Sequence, residues 1–365
     1  MLFRDLRQHA GQLVFAGFAG HTVPVETRAL AREFDLGGVV LFARNVASPG
    51  QVAELAFEAR GVSPATPLWV GVDQEGGRVA RLRSPFTVWP PMATLGRAED
   101  GVALARRFAR ALAGELRAVG ITIDFAPVLD VATNAANPVI GDRSLSARAE
   151  EVAAMGRAII EELQGAGLAA CGKHFPGHGD TSVDSHHDLP VVDHGLDRLR
   201  AVEFLPFRAA VEAGVAAIMT AHVLVPAVDG ERPGTLSRAI VSDLLRGELG
   251  YRGLVLTDDL EMKAVSARQP VEQAAVAAIA AGVDAVLVCG TDHDLQARTI
   301  EALIRAGESG EIPPARLEDA FAHVRAAKER FLARPPVRPA SEAELLARLG
   351  QAEAALVAAE MAMHA

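Results

Sequence analysis

Eight short apolar runs divide this 365-residue chain: Leu13–Gly17, Gly37–Phe42, Pro67–Val72, Ile121–Pro127, Leu168–His174, Ala217–His222, Leu254–Asp258 and Ala285–Cys289. Amphipathic stretches lie between them, among them Val23–Phe34, Gly101–Val119, Ala147–Gly165, Leu196–Val211, Val271–Ala281 and Leu295–Ala306. The runs are apolar almost without interruption, as strands are when both faces of a parallel sheet are covered. Eight such strands in alternation with helices predict an α/β fold, a single-domain (β/α)8 barrel of the TIM type. A doubly wound open sheet is the alternative. To bind a nucleotide it needs a Gly-rich phosphate turn after an early strand, and the chain has no such fingerprint.

The barrel is expected to occupy residues 1–332, ending in a helix near Ala315–Leu332. A stiff linker follows at Pro335-Pro336-Val337-Arg338-Pro339. Ser341 and Glu344 then have the spacing of a capping box that opens a final Ala/Leu-rich helix. Residues 333–365 are too few for a second domain and are expected to pack back on the barrel as a short helical tail.

Charge narrows the partners. The formal net charge is −10, and the 36 Lys and Arg form no basic stripe. Neither a nucleic acid nor an anionic membrane is expected. No apolar run is long enough to span a bilayer, and Leu13–Ala19 is read as the first strand rather than as a leader. Cys171 and Cys289 sit singly in apolar runs and are expected to be buried thiols in a reducing compartment, the cytoplasm.

Polar residues crowd the C-terminal ends of the runs: Asp73-Gln74-Glu75, Asp124 and Asp130, Lys173-His174, His222, and Asp258-Asp259 with Glu261. In a (β/α)8 barrel those ends ring the mouth that holds the active site. The segment GKHFPGHGDTSVDSHHDLP at 172–190 is the densest. His174, His178, His186 and His187, four of the chain's 11 histidines, fall in it, with Asp180, Asp184 and Asp188. Imidazole is suited to proton transfer near neutral pH and to metal ligation, so the loop is an acid/base device or a metal site. Lys173 is one of only three lysines in a chain that otherwise uses Arg. A compact ammonium is therefore expected to matter at that position.

KHFPGHGDTSVDSHHDLP, with DQEGGRV at 73–79, FAPVLDV at 125–131, NPVIGDRS at 137–144 and LTDDLEM at 256–262, resembles the family 3 glycoside hydrolases. More narrowly it resembles the single-domain bacterial β-N-acetylglucosaminidases of peptidoglycan recycling. The resemblance implies a retaining exo-hydrolase that removes terminal β-GlcNAc from muropeptides, with no cofactor and no metal. The partner it implies is a small carbohydrate substrate, and the chain is expected as a monomer or weak homodimer. Asp258 matches the nucleophile and His186 the acid/base, with Asp184 orienting His186. Asp73, Arg81, Arg143, Lys173 and His174 match sugar-binding positions. An ionised carboxylate at a strand end can attack an anomeric carbon. Asp184 and His186 are two residues apart and share a face if the loop is extended. Asp259 is the rival nucleophile, set on the opposite side by strand alternation. His178, His187 and Asp188 are expected to be loop scaffolding, and His222 to line the mouth.

Three other readings compete. A His/Asp metal-dependent hydrolase would use His174 and His178, although Pro176, Gly177 and Gly179 bar the helix that would align them. A phosphorylase on the same fold would use phosphate where the hydrolase uses water. A non-catalytic sugar-binding barrel would leave the nucleophile and acid/base candidates unexplained. Aromatic residues make up 5% of the chain, too few for a long stacking platform, which favours a short soluble glycan.

Overall fold

The computed structural model of the chain describes residues 3–63, 66–185 and 188–365. The strands, in chain order, are β1 (Val14–Ala16), β2 (Gly38–Leu41), β3 (Trp69–Val72), β4 (Gln74–Gly76), β5 (Val79–Ala80), β6 (Ile123–Asp124), β7 (Ala169–Phe175), β8 (Ala217–Thr220), β9 (Leu254–Asp259) and β10 (Ala285–Val288). Eight of them close a barrel in the order β1-β10-β9-β8-β7-β6-β3-β2. Every barrel pairing is parallel. β4 and β5 form a separate antiparallel hairpin. All eight apolar runs of the sequence thus become barrel strands, and the expected single-domain (β/α)8 architecture is the one observed. Trp69, Phe15, Phe125 and Phe175 are among the large side chains completely buried in its core.

Most of the expected helices form, with instructive departures. The stretch 196–211 is two helices, Leu196–Ala201 and Phe204–Glu212. Pro206 is tolerated only in a first turn, so the second helix begins just before it. The final helix is also two, Glu342–Leu346 and Ala352–Ala362. Gly350 between them has φ of 56°, which a helix cannot continue through. The Ser341–Glu344 capping box is present. Val357 and Met361 are buried, and Gly350 donates its N–H to the buried Glu115 on the helix Gly101–Ala118 at 2.7 Å. Helices Phe3–His9 and Pro49–Arg60 were not anticipated. No helix of the described residues is long and apolar enough to cross a membrane. Both cysteines are buried and unpaired with each other.

Candidate active site

The C-terminal ends of the barrel strands open into a cavity of about 430 Å³. Asp73, Arg81, Arg143, Lys173, His174 and Asp258 all line it, brought together from five separate segments. Phe42, Phe125, Met219 and Leu287 supply apolar wall between them.

The hairpin β4–β5 positions two of these groups. Gln74 is buried, its amide N–H donates to the Leu82 carbonyl at 2.7 Å, and its amide oxygen accepts from the Arg81 and Leu82 N–H groups at 2.8 and 2.9 Å. One glutamine thereby folds the chain back so that Arg81 meets Asp73 at 3.1 Å. Gly76 at the turn has φ of 118°, and a Cβ there would lie 2.9 Å from the Pro90 carbonyl oxygen, so only glycine fits.

Lys173 lies at the centre of the charges. It is 2% exposed and its Nζ reaches Asp73 at 2.7 Å and Glu75 at 2.6 Å. Arg143 holds Glu75 from the other side through two bonds of 2.8 and 2.9 Å. Burial opposes each charge, but the neighbours win. Asp73 and Glu75 keep the Lys173 ammonium well above the ordinary lysine range. Arg143 and Lys173 hold Glu75 well below the usual carboxylate range, and Lys173 and Arg81 lower Asp73. The five groups are charged and mutually paired.

His174 follows Lys173 on β7, whose register against β8 shifts between Gly172 and Phe175. Its Nδ1 lies 2.6 Å from the Asp130 carboxylate, which also accepts the backbone N–H of His174 and of His178. Asp130 thereby fixes the ring while Nε2 is left for the cavity. Asp258, near the end of β9, accepts the Asp259 N–H at 2.8 Å. Burial raises its carboxyl, but His174, His222, that N–H and Lys173 together bring it below the usual range. Asp259 also contributes to the lining, but its carboxylate is tied to the N–H groups of Glu261 and Cys289, both at 3.1 Å. Burial lifts Asp259 to about 7. Of the two, Asp258 has the carboxylate suited to nucleophilic attack.

The loop after β7 is held at several points. Asp180 pairs with His194 at 2.6 Å and with the Thr133 hydroxyl at 2.8 Å. His178 is buried with Nδ1 on Thr181 and Nε2 on Ser185, and burial lowers it to about 4, so it is neutral near pH 7. The Ser185 carbonyl accepts the Ala264 N–H at 3.1 Å, beyond β9. Ser185 lines the cavity and Asp184, beside it, is half-buried. His186 and His187 lie outside the described residues.

Several strand-end polar groups sit behind the mouth rather than around it. Asp124 is fully buried under the hairpin, accepting the Gln74 N–H at 3.0 Å, and burial pushes its carboxyl well up. His222 does not line the cavity: it is buried, with Nδ1 at Thr235 and Nε2 donating to the Asp259 carbonyl at 3.0 Å. Glu75 and Asp130 carry more of the site than their sequence motifs had suggested. Their position at strand ends within DQEGGRV and FAPVLDV was the available signal. Among the described residues, the group of carboxylate and imidazole atoms close enough to share an ion is Asp284, Asp319 and His323. It lies at the opposite end of the barrel, where Arg246 and Arg316 already neutralise Asp284.

A parallel eight-stranded barrel with an ionised carboxylate, a His–Asp pair and a ring of paired charges at its C-terminal mouth is a catalytic (β/α)8 barrel. The chain matches the glycosyl hydrolase family 3 N-terminal domain over residues 5–327, and it belongs to that family. It is 45% identical over 262 residues to a β-hexosaminidase of Thiobacillus denitrificans, covering 70% of this chain and 71% of that one. A family 3 β-N-acetylglucosaminidase from Paenibacillus superposes with a TM-score of 0.88 at 43% identity, covering 94% of this chain and 68% of that one. NagZ from Neisseria gonorrhoeae superposes with a TM-score of 0.79 at 31% identity over 97% of both chains, and has also been solved in complex with a zinc ion.

Proposed function

We propose that this protein is a retaining exo-β-N-acetylglucosaminidase that removes terminal β-GlcNAc from short, soluble muropeptides in the cytoplasm, acting as a monomer or weak homodimer. The observation that carries the reading is Asp258, an ionised carboxylate facing a cavity whose other polar walls are Asp73, Arg81, Arg143, Lys173 and His174. The similarity to β-hexosaminidases of known sequence and structure supports the sugar specificity.

Asp258 attacks the anomeric carbon and forms a glycosyl ester with inversion. His186 protonates the departing oxygen, then takes a proton from water as that water attacks the ester, so two inversions give retention. Asp184 orients the imidazole and stabilises its cation, as the carboxylate of a triad does. Asp73, Lys173, Arg81, Arg143 and His174 take the sugar hydroxyls by charge-assisted hydrogen bonds.

Product analysis on a GlcNAc-anhydro-muropeptide, beside 4-nitrophenyl β-glycosides of GlcNAc and glucose, tests the proposal. Free GlcNAc from the first and turnover of the β-GlcNAc analogue at least about tenfold above the glucoside are expected. Faster turnover of the glucoside would sink the assignment. Release of a sugar 1-phosphate when phosphate is added would make the protein a phosphorylase. The zinc complex of the Neisseria relative gives the metal reading a specific observation. Activity lost on chelation and restored by zinc would establish it; unchanged activity is expected.

A further inference from the structure

At the N-terminal end of the barrel, remote from the mouth, a second cavity of about 460 Å³ lies beneath the starts of β1, β2 and β3. Phe321, Val324 and Leu332, on the helix Pro314–Leu332, and Pro67 give it apolar walls. Lys328 lines it, is 5% exposed, and its Nζ has no hydrogen-bond partner. A buried ammonium without a partner is among the least stable arrangements a protein can hold.

The charged groups around the cavity do not relieve it. Asp35 is the carboxylate that acts on Lys328, but it is taken by His9 Nδ1 at 3.0 Å, the Thr66 hydroxyl at 3.0 Å and the Ser63 hydroxyl. Arg325 and Glu329 stand on Lys328's own helix at the rim. The other two lysines of the chain are differently placed. Lys173 is clamped by two carboxylates, and Lys263 is exposed.

We propose that Lys328 is a covalent modification site, acylated in this cavity by a small acyl phosphate. Nζ attacks the acyl carbonyl carbon, the new C–N bond forms as the C–O bond to phosphate breaks, phosphate leaves, and the surplus amine proton passes to solvent. Burial lowers the Lys328 amine to about 7, so much of it carries the lone pair that attack requires near neutral pH. The cavity admits a two-carbon acyl group against apolar walls. The amide breaks no ion pair, because none is present, and it removes a charge that burial disfavours. A compact donor fits this space better than a bulky thioester carrier.

The three lysines make the test internally controlled. The intact protein is incubated with acetyl phosphate at pH 7, 8 and 9, and acetylation of each lysine is quantified by peptide mapping. Lys328 is expected to acetylate ahead of Lys263 at pH 7, with Lys173 unmodified. An ordinary lysine amine gains about tenfold in neutral fraction per pH unit here, whereas one near 7 is already about half neutral at pH 7 and gains only about twofold more. Acetylation of Lys328 should therefore rise less than about threefold from pH 7 to pH 9, where an ordinary amine would rise about a hundredfold. Lys263 leading at every pH, Lys328 reacting only in denaturant, or Lys328 acetylation rising about tenfold per pH unit would each overturn the proposal. The readout does not involve glycoside turnover, so it stands or falls apart from the proposed activity.

Discussion

Lys173 explains why single residues at this site are not interchangeable. Its ammonium sits between two carboxylates, and an arginine fork would be too wide for that gap. The reacting groups allow sharper statements. A 2-fluoro glycosyl trap should label Asp258, and Asp258→Ala should lower kcat by more than about 10³-fold. A label found on Asp259 by peptide mapping would reassign the nucleophile. The acid/base role makes an asymmetric demand. A sugar leaving group needs a proton, whereas 4-nitrophenolate departs without one. His186→Ala should therefore slow natural-substrate turnover about 10²–10⁴-fold, the nitrophenyl glycoside far less, and azide should rescue deglycosylation. Asp184→Ala should show a milder version of this pattern. Equal losses on both substrates, without rescue, would show that the proton comes from elsewhere.

Among the elements, the helix Pro314–Leu332 closes the barrel floor with opposite tendencies along its length. Arg316 and His323 meet the fully buried Asp284 at 2.7 and 3.1 Å, a clamp that favours the closed floor. One turn and a half further on, Lys328 burdens it. The folded-state Lys328 near 7 lies below the ordinary lysine value of about 10.4. Between those values the unfolded chain holds the proton and the folded one does not, so this contribution to stability improves as pH rises. Below pH 7 both states are protonated and the full penalty remains, roughly 3–5 kcal/mol. Lys328→Met should therefore raise the unfolding midpoint most at pH 6, with the advantage fading toward pH 10 in paired thermal melts. The barrel strands were legible because burial on both faces leaves a continuous apolar signature. The breaks at Pro206 and Gly350 were missed because periodicity continues across them. The cavity members were legible from strand ends and motifs, but Asp130 and Glu75 act by holding His174, Arg143 and Lys173, a relation between distant segments that spacing cannot express. Nothing in the pattern distinguished Lys328 from a solvated helix lysine, since its burial depends on the segments leading into β1, β2 and β3, with Gln12, Asp35 and Pro67, packing above it.

For the whole molecule, net charge and local charge diverge. The chain carries −10, yet Asp73 and Glu75 are paired at the mouth by Arg81, Arg143 and Lys173. An uncharged glycoside feels little of the overall field, so its kcat/KM should stay flat as salt is raised. A muropeptide with peptide carboxylates is repelled, and its kcat/KM should rise about two- to fivefold as salt screens that repulsion. Stopped or steady-state rates at several ionic strengths separate the two cases; parallel curves would remove this account.

The mutual pairing around Lys173 also bears on stereochemistry. In the proposed function, the donor edge at Lys173 and the acceptor edge at Asp73 lie side by side at the cavity wall and meet two neighbouring ring hydroxyls, each able to give and to take a hydrogen. An epimer with one hydroxyl axial turns that oxygen away from its edge. The misplaced group then competes against a salt bridge that is already complete, not against loosely held solvent. Under the proposed function, rejection of the wrong epimer is built from what the protein would have to give up to accommodate it.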